Sequence, residues 1–577
     1  MNTKCNKWLL TLAVAAVAAA VSGPTAAQAP AESPAPGADT QANAPADMNT
    51  TVHLIRLLVS QGVITVAQGE ALLMQAQEEV RQAAQGDAGP DVREDDVRVP
   101  YIPEVVLEEI REEVKEDVMA KAKAENWAAP NTFPDWVSRI KVYGDVRVRN
   151  ESRFFSGDNS NEITDFHEMN ESGPHDVNSK TAVSLPPLMN TREDRENLLR
   201  IRARFGLEAA LSDNWDAGVR LATGSSNGPV STTQTLGGGL GKKDIWLDQA
   251  WVSWHPGIWN FTAGRAENPF VSTDILYSGE LNFDGVSAGF SGLDFSDNGS
   301  VFGTFGAFPL QYSDDDWPSN QKDKGDSEDR WLLGAQLGVD WEFDNGDGFK
   351  TALAYYNFDN VRGQRSSECY LYAAAPPCDS DWSVPAFMQK GNTVFLLRDI
   401  QLDPANPALT PLPQYVGLAS EFELLDLNAR WNTSLFNGYK LQLAGNYIYN
   451  LAYDEDEMWE NADGQLISNF DSNTGELESG REAWMLHAAF GSSLDLRHAG
   501  EWLAFMGYKY IEPDALPDAY NDSTFHLGGT NAKGYYLGGS YALNENLYFR
   551  GRWMSSEEVY GPPLAIDVLQ FELNAQF

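Results

Sequence analysis

Seven arginines of this chain stand in short runs at spacing two, and an eighth shares their pattern of apolar neighbours. Arg147 and Arg149 form one run, and Arg200, Arg202 and Arg204 a second. Arg220 stands alone, and Arg550 and Arg552 close the series near the C-terminus. Cations two residues apart share one face of a β-strand. On the inner face of a closed sheet they would build a transverse field or an anion path. The alternative is structural: the same arginines tie down acids of that face or of a folded-in loop. Both readings stay open on sequence.

Signals for catalysis are poor. Gly285–Gly289 has the spacing of a nucleophile elbow, but that motif needs a strand, a sharp turn and a helix, and here the alternation simply continues. Gly237–Lys243 lacks the spacing of a phosphate loop and the Ser/Thr after its lysine. Asp471–Glu476 offers some carboxylates at calcium-loop spacing without the full pattern, so a turn is expected. The 7 histidines are scattered. We expect no catalytic residue, no cofactor and no bound metal. Cys369 and Cys378 have no histidine beside them, so the pair is read as a disulfide of an oxidising compartment. The acid runs Asp314–Asp316 and Asp454–Glu457 could gather divalent cations bridging lipopolysaccharide.

The arginines need strands to hold them, and the strands are legible. The last nine residues, Leu569–Phe577, alternate without a slip. Phe571, Leu573 and Phe577 fall on the apolar side; Gln570, Glu572 and Asn574 fall on the other. Glu572 is read as the one acid set among the bases. The same period recurs from Ser138 onward, for example through Val142, Val146 and Val148 against Lys141, Arg147 and Arg149. If the apolar set faces lipid, all eight arginines face inward.

The connections alternate in length. Tight joints fall at 212–214, 255–257, 344–348, 435–438, 497–500 and 543–546, with a slightly longer one at 292–299. Long ones fall at 154–197, 225–243, 265–282, 313–329, 361–420, 451–480, 512–532 and 556–566. Short turns on one rim and long loops on the other are the pattern of a transmembrane barrel, and a soluble sandwich has no reason for it. The predicted class is all-β: an antiparallel barrel of about 16 strands over 138–577, preceded by a short α-helical extension.

Upstream, 1–27 reads as a secretory leader with Lys4 and Lys7 before an apolar core too short to span a membrane. An Ala/Pro-rich flexible linker follows at 28–48, then a helical, coiled-coil-like region at 49–130. The formal net charge of -42 argues against nucleic-acid binding.

Several segments, in order, carry a family resemblance: Leu54–Val63, Pro134–Trp136, Gly144–Arg149, Arg200–Arg204, Ala263–Phe270, Asp274 and Phe283–Gly285. Together they resemble the family catalogued as putative porins of proteobacteria. The resemblance implies an outer-membrane barrel with a periplasmic N-terminal extension, and it names no solute. By analogy with general porins, the third long loop would fold inward as a constriction. Its acids Glu267, Asp274 and Glu280, with Asp284 just beyond, would then oppose the basic wall. The expected function is passive diffusion of small hydrophilic solutes or ions through a water-filled barrel, and no enzyme activity. The rival is a plugged barrel serving as a structural tether or assembly protein. Expected partners are outer-membrane lipid and lipopolysaccharide, the barrel-assembly machinery reading the terminal strand, and copies of the chain itself, a trimer by analogy.

Overall fold

The computed structural model of the chain describes residues 137–225, 228–313, 328–372, 378–471 and 473–577. The expected leader (1–27), linker (28–48) and helical region (49–130) lie outside the described residues, as do the acids Asp314–Asp316.

Period-two alternation becomes sixteen long antiparallel strands. They are β1 (Ile140–Phe155), β2 (Arg195–Ser212), β3 (Trp215–Thr223), β4 (Ile245–Trp254), β5 (Trp259–Glu267), β6 (Asn282–Ser296), β7 (Gly299–Gln311) and β8 (Arg330–Glu342). The second half holds β9 (Gly348–Asp359), β10 (Phe422–Ser434), β11 (Lys440–Asn450), β12 (Glu482–Gly491), β13 (Trp502–Ile511), β14 (Ala532–Asn544), β15 (Leu547–Glu557) and β16 (Ala565–Gln576). Each pairs with the next along the chain, and β16 pairs back onto β1, so the sheet closes and has no free edge. The predicted tight joints fall between strands at one rim, except that 292–296 of the joint at 292–299 continues β6 and only 297–298 turns, and all the long connections fall at the other rim.

Val146, Val148, Leu207, Phe205, Phe571 and Leu573 point outward and are exposed, as lipid-facing residues of an isolated chain must be. Aromatic stacks ring the short-turn rim: Trp215–Trp254–Phe261–Trp259 on one side, Phe295–Trp341–Phe343 and Tyr439–Phe490–Trp502 further round. Such girdles sit where lipid meets water.

The long-loop half of the interior differs from the water-filled lumen predicted. Tyr356 and Phe358 of β9, Leu424 of β10, Ile448 of β11 and Ile511 of β13 point inward and are buried. They pack on Ile275, Leu276 and Tyr277 of the third long loop and on Val394, Val416 and Leu516 of later loops. Apolar surface from both wall and loops is removed from water, which fixes the loops inside the barrel. Open space lies toward the short-turn rim, in chambers of about 450 and 790 Å³ lined by charged and apolar side chains together.

Candidate functional site

Alternation in β1 puts Asp145, Arg147, Arg149 and Glu151 on the inner face, all buried. Register then sets their neighbours. Asp145 lies opposite Arg204, Arg147 opposite Arg202 and Arg149 opposite Arg200. On the other side Arg149 lies opposite Glu572, and Glu572 lies opposite Arg550. The terminal strand alone separates the first and last groups of arginines.

Most of this wall is neutralised. Arg149 pairs with Glu572 at 2.6 Å, Arg200 with Glu151 at 3.0 Å and Arg204 with Asp145 at 2.5 Å. Arg202 bridges Asp145 and Glu280, both at 2.7 Å, and Arg147 reaches Glu280 at 2.8 Å. Arg220 holds Asp248 at 2.6 Å and Glu267 at 2.9 Å. Glu572 is therefore not the one acid among the bases: Asp145, Glu151 and Glu280 stand there too. Their signal was present in sequence, since Asp145 and Glu151 continue the spacing of two through Arg147 and Arg149.

Arg550 and Arg552 differ. Arg550 donates to Ser540 Oγ at 2.9 Å and lies over the rings of Tyr548 and Phe505. Arg552 donates to Gln570 Oε1 at 2.8 Å and Thr524 Oγ1 at 2.9 Å. Neither makes an ion pair with another of the described residues, and both line the 450 Å³ chamber.

The third long loop, 268–281, lies inside the barrel as an arc. Val271 exchanges two hydrogen bonds with the Gln336 amide on β8, each 2.8 Å. Thr273 donates to Asn446 on β11 at 2.6 Å, and Asp274 accepts from Lys509 on β13 at 2.9 Å. Glu280 then meets Arg147 and Arg202 on the far wall. The four acids singled out in sequence thus separate. Glu267 and Glu280 touch the arginine wall, and Asp274 touches Lys509. Asp284 pairs with its register neighbour Arg265 at 3.0 Å, away from the wall. Lys509 was missed by sequence reasoning: it is a lone lysine between Tyr508 and Tyr510, inward by the same parity that exposes Tyr508.

Cys369 and Cys378 are bonded to each other in the fifth long loop. Asp471 closes a turn, accepting from Asn473 N–H at 2.7 Å, and Gly285–Gly289 continues as strand β6. No group of three or more potential metal ligands occurs among the described residues.

A family described as "Putative porin" matches residues 48–577. No curated protein matches the chain. Among solved structures, OprB of Pseudomonas putida at high pH is similar, with 11% identity and a TM-score of 0.40 over 76% of this chain and 95% of that one. The outer membrane channel DcaP of Acinetobacter baumannii has 8% identity and a TM-score of 0.35, over 76% and 97%. OmpT, an outer membrane protein of Vibrio cholerae in trimer form, has 8% identity and a TM-score of 0.35, over 76% and 99%.

Proposed function

The chain belongs to the family described as putative porins, and on that premise we propose that it passes small hydrophilic solutes across the outer membrane by passive diffusion. The third long loop narrows the lumen, and fixed charge on the wall sorts what passes. One observation carries the sign of that sorting. Arg550 and Arg552 make no ion pair with another of the described residues, and with Lys350, Arg430 and Lys509 they outnumber the carboxylates Asp274, Asp495 and Asp522 around the same chamber, while the other six wall arginines are spent on local acids. A solute at the narrowing meets that local field more strongly than the acidity of distant loops, which salt screens over about 8–10 Å. The pore therefore prefers anions.

Planar-bilayer recording of the purified chain in a KCl gradient tests this. The reversal potential is expected to report chloride preference and to shift toward cations in Arg550→Ala/Arg552→Ala. Cation preference in the unaltered chain would overturn the sign. A folded but silent barrel would overturn the pore, and would favour the rival reading of a plugged barrel acting as a tether. The apolar core in the long-loop half is the observation behind that rival.

In the same reading the short-turn rim faces the periplasm, and copies of the chain associate, by analogy as a trimer. Lipid and lipopolysaccharide surround the barrel, and the assembly machinery reads Phe571, Leu573 and Phe577.

A further inference from the structure

We propose that the long-loop half of the barrel holds a binding site for a small carboxylate with a compact apolar body, seated against Arg330. A cavity of about 470 Å³ opens there, walled by Phe283, Phe308, Leu332, Phe387, Met388 and Tyr520. Most of its lining is apolar, yet Arg330 and Gln311 stand in it. Arg330 projects inward from the start of β8 and is only 4% exposed.

Every acceptor that Arg330 has is neutral. Its Nε donates to the Asn360 carbonyl at 3.1 Å, and its Nη1 to the Val384 carbonyl at 2.8 Å and to Gln311 Oε1 at 2.5 Å. Nη2 is buried without a partner, and Arg330 makes no ion pair with another of the described residues. A buried guanidinium without an anion is costly, and proteins retain such groups where a ligand supplies the charge.

The donors converge on one oxygen. Gln311 Oε1 accepts from Arg330 Nη1 and also from the Ala386 backbone N–H at 3.1 Å. That oxygen belongs to a flexible side chain at the end of β7. A ligand carboxylate oxygen taking its place would receive the same two bonds, now charge-assisted, when the Gln311 side chain swings aside. Tyr277 lines the same cavity with a buried hydroxyl that has no partner, offering a further donor. The carboxylates at the cavity edge do not compete, since Glu171 sits beside His167 at 3.3 Å and Asp284 beside Arg265 at 3.0 Å. The apolar walls set the rest of the ligand: a ring or branched chain, not a sugar, whose hydroxyls would go unpaired.

The site deepens the porin reading, as a station where a preferred solute pauses, and it is tested separately from conduction. Calorimetry on the purified full chain in detergent, titrated with benzoate, benzamide and acetate, gives the first readout. Benzoate is expected to bind saturably, with benzamide and acetate each about tenfold weaker or more. Gln311→Glu supplies Arg330 with a permanent internal carboxylate and should abolish benzoate binding in a barrel that still folds. Arg330→Gln should do the same. Absence of saturable benzoate binding, equal affinity for benzamide, or indifference to Gln311→Glu would each overturn the site. Conductance in KCl without benzoate reports on the pore alone. A silent barrel that binds benzoate would sink only the pore, and a conducting barrel that does not would sink only the site.

Discussion

At the scale of single residues, Glu280 does more than its neighbours. Its Oε1 accepts from Arg147 at 2.8 Å and Arg202 at 2.7 Å, and its Oε2 accepts from Thr232 N–H at 2.7 Å and Thr232 Oγ1 at 2.9 Å. One carboxylate thus pins the third long loop to two strands and to the second loop. Glu280→Ala would leave the buried Arg147 without its anion and Arg202 with Asp145 alone, a loss of about 3–5 kcal/mol. The loop should come away from the wall. Larger, noisier single-channel openings and new protease cleavage within 268–281 are expected. Unchanged conductance with an intact loop would refute the assignment. The sequence puts Glu280 on the third long loop and the arginines on one face of their strands. It did not show which acid meets which base. Period two fixes direction within a strand, whereas Arg147 and Glu280 are 133 positions apart and meet through the loop's path.

At the scale of elements, the joints were legible and the interior was not. Turn residues such as Asn345, Gly346 and Gly438 mark the short rim by local chemistry. In β9 and β10, however, both faces carry large apolar side chains: Tyr355 and Leu425 point out, Tyr356 and Leu424 in. Alternation between two apolar sets has no visible polarity, so the packed half of the lumen stayed hidden. The seventh long loop, 512–531, completes that packing and buries charge with it. Asp518 is buried with both carboxylate oxygens unpartnered, near Lys390, whose Nζ is also unpartnered, and near Asp514. Burial, with Asp514 adding to it, pushes the Asp518 carboxyl up to about 7 from its ordinary 3.8, against the nearby Gln389 backbone N–H and the pull of Lys390. Burial likewise raises Glu558 to about 7 and lowers Lys390 to about 8. The folded loop therefore holds a proton on Asp518 that the unfolded loop has lost between those two values. The stability this contributes is complete below about 4 and disappears as pH rises through about 7. Lys390 acts in a higher window: its contribution is complete above its ordinary 10.5 and is lost as pH falls through about 8. Once the intrinsic base-catalysed rate is divided out, amides of the seventh loop should show larger protection factors at pH 5.5 than at pH 7.5, and Asp518→Asn should remove most of that difference. Protection factors that are equal at the two values or smaller at the lower pH would contradict it.

At the scale of the whole molecule, closure is the step that makes every other feature mean anything, since the arginine wall exists only once β16 lies between β1 and β15. The chain end is built into that seam. Phe577 exchanges two backbone hydrogen bonds with Gly144, each 3.0 Å. A Cβ on Gly144 would come within 2.6 Å of the Phe577 ring and 2.5 Å of the Arg204 carbonyl oxygen. The ring could rotate away, but the carbonyl belongs to the β2 ladder and cannot. Glycine is thus required where the first, second and last strands meet, and the alternation that identified the terminal strand also placed Phe577 on its outer side. Gly144→Val is expected to strain the seam by about 1–3 kcal/mol and to lower the yield of folded, heat-modifiable barrel. Deleting Phe577 should have a similar effect, because it removes the same two hydrogen bonds and the same ring. Gly157→Val, at a site where a Cβ meets nothing within 4 Å, serves as the control and should fold normally. If Gly144→Val folded as well as that control, with the same urea midpoint, the seam would tolerate crowding and the C-terminal aromatic would act only before the barrel closes.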